Sequence, residues 1–146
     1  MSGSPAGAPG APGAPGTAGA SAAPGAAERV VEKPWGRERI WAETERYVGK
    51  VITIKPGERL SLQAHQIKDE SLLVLRGRLR LHIGPDQASL STVDLGPGEH
   101  RRVPTGQVHR FEALDQEVEL VEVSTPELDD VIRLEDDYGR EGTNAP

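Results

Sequence analysis

An all-β domain is the fold class this sequence predicts, and three observations predict it. From Val30 onward the chain breaks into short apolar or alternating runs, and nearly every run stops at a Gly/Pro turn. No segment carries a helical face longer than about two turns. Many short strands between tight turns fit a sandwich or closed barrel rather than a βαβ fold.

The first 27 residues stand apart. They contain only Ala, Gly, Pro, Ser, Thr and the initiating Met, with a Gly-Ala-Pro unit repeating from Gly7 to Gly16. Proline removes donors and glycine adds backbone entropy, so residues 1–27 are expected to be a disordered tail. The glycine period is too short for a collagen triple helix. Every charge lies from Glu28 onward, which sets the folded domain at residues 28–140 and leaves 141–146 as an expected flexible end. A domain of this size supports one core of moderate extent. With aromatics confined to Trp35, Trp41, Tyr47, Phe111 and Tyr138, that core must come from Leu, Val and Ile.

The strands follow in order. Val48 to Ile54 is rich in β-branched residues and ends at the turn Lys55-Pro56-Gly57-Glu58. Ser71 to Leu75 is an apolar run closed by Gly77. Arg78 to Ile83 alternates strictly, the period of a half-buried strand, and ends at Gly84-Pro85-Asp86. On this reading Arg76, Arg78, Arg80 and His82 share one face, and Arg78, Arg80 and His82 form a solvated outer side. Leu95 to Gly98 and Val103 to Gly106 are further turns, and Val118 to Val123 is a last strong strand. The best helical candidate is Pro126 to Leu134, where Glu127, Asp129 and Asp130 suit the positive end of a short helix.

Composition narrows the function. The net charge of −6 is modest and its signs are interspersed, with no basic stripe for nucleic acid. There is no cysteine, which removes disulfides, thiolate metal sites and Cys nucleophiles. No apolar stretch approaches the roughly 20 residues of a membrane span, and the N-terminus lacks the features of a secretory signal. A cytoplasmic protein without membrane or nucleic-acid partners is the expectation.

One set of residues carries chemistry. Gln63 and His65 are two apart, so on a strand they face the same way. Glu70 opens the next apolar run, and His109 lies just past the Pro104-Thr105-Gly106 turn. A closed barrel could bring the four together. Two imidazoles, a carboxylate and an amide oxygen suit borderline to hard divalent metals, Zn first, with Mn, Fe, Co or Ni as alternatives. Four protein ligands would leave positions for water or substrate.

The spacing resembles a known pattern. Gly57 to Gly77 looks like the first cupin motif: a glycine, a His-bearing strand, a Glu five residues on and a closing glycine. Gly98 to His109 resembles the second: a glycine, five residues, Pro-x-Gly, two residues and His. The resemblance implies a small cupin barrel, a double-stranded β-helix or jelly roll, with Gln63, His65, Glu70 and His109 facing a metal. A finer similarity is to the C-terminal domain of type II mannose-6-phosphate isomerases. It rests on Lys33-Pro34-Trp35-Gly36, on Lys55 to His65 with Gln63 in place of a histidine, and on Asp136-Asp137-Tyr138-Gly139-Arg140. Ser71 and Ala113 depart from that pattern. The similarity implies interconversion of mannose 6-phosphate and fructose 6-phosphate, with Arg140 near the substrate and Lys55 as a candidate phosphate or proton-transfer group. Guanylyl transfer, found on bifunctional members, is not expected of these 146 residues. The implied partner is a small sugar phosphate, and the oligomeric state is left open, a homodimer being one assembly common among small cupins. A cupin with another substrate, such as an oxygenase, and a non-catalytic sugar-binding cupin remain open, because this fold hosts many functions.

Overall fold

The computed structural model describes residues 28–146. They form eleven strands: β1 (Arg29–Lys33), β2 (Gly36–Glu43), β3 (Val48–Ile54), β4 (Leu62–Ala64), β5 (Glu70–Arg76), β6 (Leu79–Gly84), β7 (Ser91–Leu95), β8 (His100–Val103), β9 (Val108–Ala113), β10 (Val118–Ser124) and β11 (Ile132–Glu135). Two sheets result, one in the order β1-β2-β3-β10-β5-β8 and the other β11-β4-β9-β6-β7. Every pairing is antiparallel. This is the small cupin barrel. The expected tail at residues 1–27 lies outside the described residues.

The inner faces follow from period-2 alternation. Ile52 and Ile54 of β3, Leu72 and Val74 of β5, Val118 and Leu120 of β10, Leu79 and Leu81 of β6, and Phe111 of β9 meet between the sheets in one core. The same inward positions change chemistry toward the other end. On β5 the series runs Val74, Leu72, Glu70; on β9 Ala113, Phe111, His109; on β10 Leu120, Glu122; and on β3 Ile52, Lys50. The register ties these together, since Glu122 sits opposite both Lys50 and Leu72, and His109 opposite both Gln63 and Ile83. One half of the interior is therefore an apolar plug and the other half a buried polar site.

Two sequence expectations change here. Pro126 to Leu134 is not a helix. Its backbone makes tight turns (Leu128 N–H to Pro126 O, 2.8 Å; Val131 N–H to Asp129 O, 3.0 Å) and then enters β11, which pairs with β4. An isolated helix of that length is marginal, whereas the open edge of β4 offers a ladder. Arg76 does not share a face with Arg80 and His82. Gly77 turns the chain between the sheets, so Arg76 ends β5 and reaches Glu117 and Glu119, while Arg80 meets Asp94 and His82 meets Glu112 on β6. Beyond Arg140 the chain is exposed, with Gly142 N–H donating to Arg133 O and Arg133 Nη1 donating to Thr143 O at 2.8 Å.

Candidate metal centre

β4 and its extension carry Gln63 and His65, the first residue of β5 is Glu70, and β9 supplies His109. His65, Glu70 and His109 are buried, and one ligand atom from each lies within 4.8 Å of the others. Glu70 Oε1 is 2.8 Å from His109 Nε2 and 3.5 Å from His65 Nε2. Each imidazole is held from behind through its other nitrogen. His65 Nδ1 meets the backbone carbonyl of Asp130, and His109 Nδ1 meets that of Gln107 at 3.0 Å. Such contacts fix the ring and leave Nε2 as the inward lone pair.

Despite these short separations, His65 Nε2, His109 Nε2 and Glu70 Oε1 are buried without a hydrogen bond of acceptable geometry, while Glu70 Oε2 meets the Lys68 ammonium at 2.9 Å. Buried polar atoms in folded proteins are rarely left so. A convergent set of two imidazoles and a carboxylate lacking mutual hydrogen bonds is what a cation would satisfy, and the donor set fits a divalent metal. Gln63 lines the same cavity as His65, with its amide oxygen accepting a hydrogen bond from Ser61 Oγ at 2.7 Å.

Electrostatics around the group favour a charged carboxylate. Burial pushes the Glu70 carboxyl up, but Lys68 and the two histidines hold it well below the usual range. Lys68 is itself buried, with Nζ 2.9 Å from Glu70 Oε2 and 3.1 Å from Glu122 Oε1. Burial lowers its pKa, and the two carboxylates more than reverse that. Glu122 goes the other way: burial and the nearby Glu70 charge raise it against the opposing pull of Lys68 and Lys50. Beyond it, Lys50 Nζ pairs with Glu38 at 3.2 Å. The loop that presents Lys68 is folded inward by Asp130, whose carboxylate accepts the backbone N–H groups of Gln66, Ile67 and Lys68.

The two other expected residues separate. Arg140 lines the cavity and is buried against Asp136, which accepts from its backbone N–H at 2.6 Å and from Nε at 2.9 Å. Lys55 is exposed and lies outside the cavity. It follows Ile54 at the end of β3, where its backbone N–H donates to Trp35 O at 2.9 Å. Lys33, Lys50, Lys68, Glu122 and Arg133 also line the cavity and were not singled out by sequence reasoning. For Lys50 and Glu122 a signal existed, since both occupy inward parity positions in otherwise apolar strands.

A double-stranded β barrel with a His-Glu-His group at one end of its interior defines a cupin with a candidate metal centre. The model of the family "Mannose-6-phosphate isomerase C-terminal" matches residues 23–136, and the chain belongs to that family. Among curated relatives, the mannose-1-phosphate guanylyltransferase ManC of Salmonella typhimurium is 39% identical over 116 residues, covering 77% of this chain and 23% of the relative. The xanthan biosynthesis protein XanB of Xanthomonas campestris is 34% identical, covering 77% and 24%. The chain thus spans about a quarter of the length of these relatives. Among solved structures, the capsular polysaccharide assembling protein CapF of Staphylococcus aureus aligns with a TM-score of 0.65 at 20% identity, over 75% of this chain and 35% of that one. A deletion mutant of Bacillus subtilis oxalate decarboxylase OxdC aligns with a TM-score of 0.65 at 21% identity, over 73% and 30%. These structural likenesses show the fold. Among the described residues no helix is long and apolar enough to cross a membrane.

Proposed function

We propose that this chain is a metal-dependent sugar-phosphate isomerase domain that interconverts mannose 6-phosphate and fructose 6-phosphate for nucleotide-sugar and polysaccharide synthesis. The observation that carries the reading is the buried His65–Glu70–His109 group beside Gln63, with Arg140 in the wall of the same cavity. The family's description supports the choice of substrate, and the relatives' names, a mannose-1-phosphate guanylyltransferase and a xanthan biosynthesis protein, support the polysaccharide setting.

His65, Glu70 and His109, with Gln63 as a fourth donor, would hold a divalent metal, zinc first by donor type and Mn, Fe, Co or Ni by the same criterion. When bound, the metal supplies Lewis acidity toward the sugar oxygens at the reacting end. The protein's own groups do the rest. Arg140, fixed by Asp136, offers a guanidinium to the negative charge that grows on those oxygens as the C2 proton leaves. Glu122 is a buried carboxylate of the cavity whose affinity for a proton is raised, which suits it to take that proton from C2 and return it at C1. Lys68 holds Glu122 from one side and so orients it.

The test is a 13C NMR assay of the full chain with mannose 6-phosphate after loading with Zn, Mn, Co or Fe in turn. Fructose 6-phosphate should form with at least one metal. No turnover with any of the four would sink this reading and leave the fold untouched.

A further inference from the structure

Five cations line the cavity: Lys33, Lys50, Lys68, Arg133 and Arg140. Three of them are answered by acids, Lys50 by Glu38 at 3.2 Å, Lys68 by Glu122 at 3.1 Å and Arg140 by Asp136 at 2.9 Å. Among the described residues, Lys33 and Arg133 have no acid within ion-pair distance. Arg133 is 8% exposed, gives Nη1 to the backbone carbonyl of Thr143, and keeps a buried Nε with no partner. Lys33 is half-buried in the β1–β2 hairpin and makes no ion pair among the described residues. Buried cations without counter-charge are costly unless a ligand answers them. The tension shows in both groups: burial lowers each pKa and Arg140 adds to the lowering, and the nearby charges of Glu38, and of Asp136 for Arg133, offset this only in part.

We infer that Lys33 and Arg133 form an anion subsite for the phosphoryl group of a phosphomonoester. An arginine fork and a lysine point charge together are a common way of holding such a dianion. The strand register gives the subsite its place. Arg133 on β11 is opposite Gln63 on β4, and Gln63 is opposite His109 on β9. These three inward positions set Arg133 two strand spacings, about 10 Å, from the metal-ligating histidine. That is the reach of a six-carbon sugar with its reacting oxygens at one end and a phosphate at the other. The assignment rests on the sugar-phosphate reading for the ligand's far end only; the anion subsite itself does not require isomerisation.

Inorganic phosphate and mannose 6-phosphate, titrated into the isotope-labelled full chain, test the assignment. Both should shift the amides of Lys33, Arg133 and Arg140, and phosphate should do so equally after chelation of any metal. Lys33→Met and Arg133→Gln should each weaken both ligands at least tenfold while unphosphorylated mannose is unaffected and zinc content stays at the wild-type level. Should Arg133→Gln fail to fold for want of its bond to Thr143, Lys33→Met carries the test, having no ion pair to lose. Unchanged phosphate affinity in Lys33→Met, or shifts confined to the outer arginines Arg37 and Arg39, would overturn the subsite. Phosphate binding that depends on Lys33 without any isomerisation would sink the proposed reaction and keep the subsite. Isomerisation with an unchanged KM in Lys33→Met would do the reverse.

Discussion

Lys68 Nζ lies 2.9 Å from Glu70 Oε2, on the side of the carboxylate away from the histidines. One oxygen of Glu70 is thus occupied by an ammonium while the other faces His109 and His65. The same ammonium holds Glu122 at 3.1 Å, so two buried carboxylates depend on one cation. Lys68→Met should therefore cost the metal-free protein about 3–5 kcal/mol at pH 7, the usual penalty for stranding buried charge. Urea unfolding measures it. Bound zinc supplies a replacement positive charge, so the loss should shrink in the metal-loaded variant. A metal-free variant as stable as wild type would show that the pairing carries no weight.

Glu122 makes the opposite prediction. Burial and Glu70 already disfavour its charge, and Glu122→Gln leaves Lys68 with Glu70 as partner. Stability should change by no more than about 1 kcal/mol and metal content should not change. Turnover of mannose 6-phosphate should fall by about 10²–10⁴, the contribution of a positioned general base. Wild-type kcat in a folded, metal-replete Glu122→Gln protein would take proton transfer away from this residue.

Gly77 and Gly57 both adopt positive φ, at 79° and 75°, yet they should respond differently to alanine. A Cβ on Gly57 would meet open space, whereas one on Gly77 would stand 2.3 Å from the backbone carbonyl oxygen of Glu117. Gly57→Ala should cost the backbone term alone, about 1–2 kcal/mol. Gly77→Ala should cost clearly more, because a backbone atom cannot swing aside. Thermal unfolding of the two variants ranks them, and equal losses would mean that the crowding at Gly77 relaxes without cost.

How much of this was legible in the sequence depends on where each residue sits. The strand Val48–Ile54 reads directly, because a β-branched run ends at a Lys-Pro-Gly turn. Glu122 and Lys50 were legible in part: alternation puts each on the same face as its buried neighbours. Lys68 was not. It belongs to a polar loop indistinguishable by composition from a solvated one, and it turns inward only because Asp130, 62 residues away, binds the loop's backbone. Arg133 was hidden for a related reason, since Pro126 to Leu134 carries helix-like acids while its real determinant is the unpaired edge of β4. Lys55 is a different case. Its place beside the first motif is a matter of sequence, and it is exposed and does not line the cavity.

Asp136 and Arg140 give the last prediction, a pH dependence. The Asp136 side chain has no exposed surface and accepts three hydrogen bonds from Arg140, at 2.6, 2.9 and 2.9 Å. Burial pushes its carboxyl up, but the Arg140 bonds outweigh burial and bring it below the ordinary aspartate value, which is about 3.9. Between the folded and unfolded pKa values the unfolded chain binds the extra proton, so stability rises with pH there. The contribution is complete above the unfolded value and is lost as pH falls through the folded one. Asp136→Asn should cost about 3 kcal/mol at pH 7, and the gap to wild type should hold constant above about pH 5. Below about pH 4 it should narrow as the wild-type carboxyl takes up its proton. Other carboxylates, Asp130 among them, also sit low, so the informative quantity is the difference between the two unfolding profiles rather than either alone. The variant should also free the Arg140 side chain and lower kcat/KM for mannose 6-phosphate. A gap that widens as the solution is acidified would reverse the sign and show that Asp136 is protonated in the folded protein.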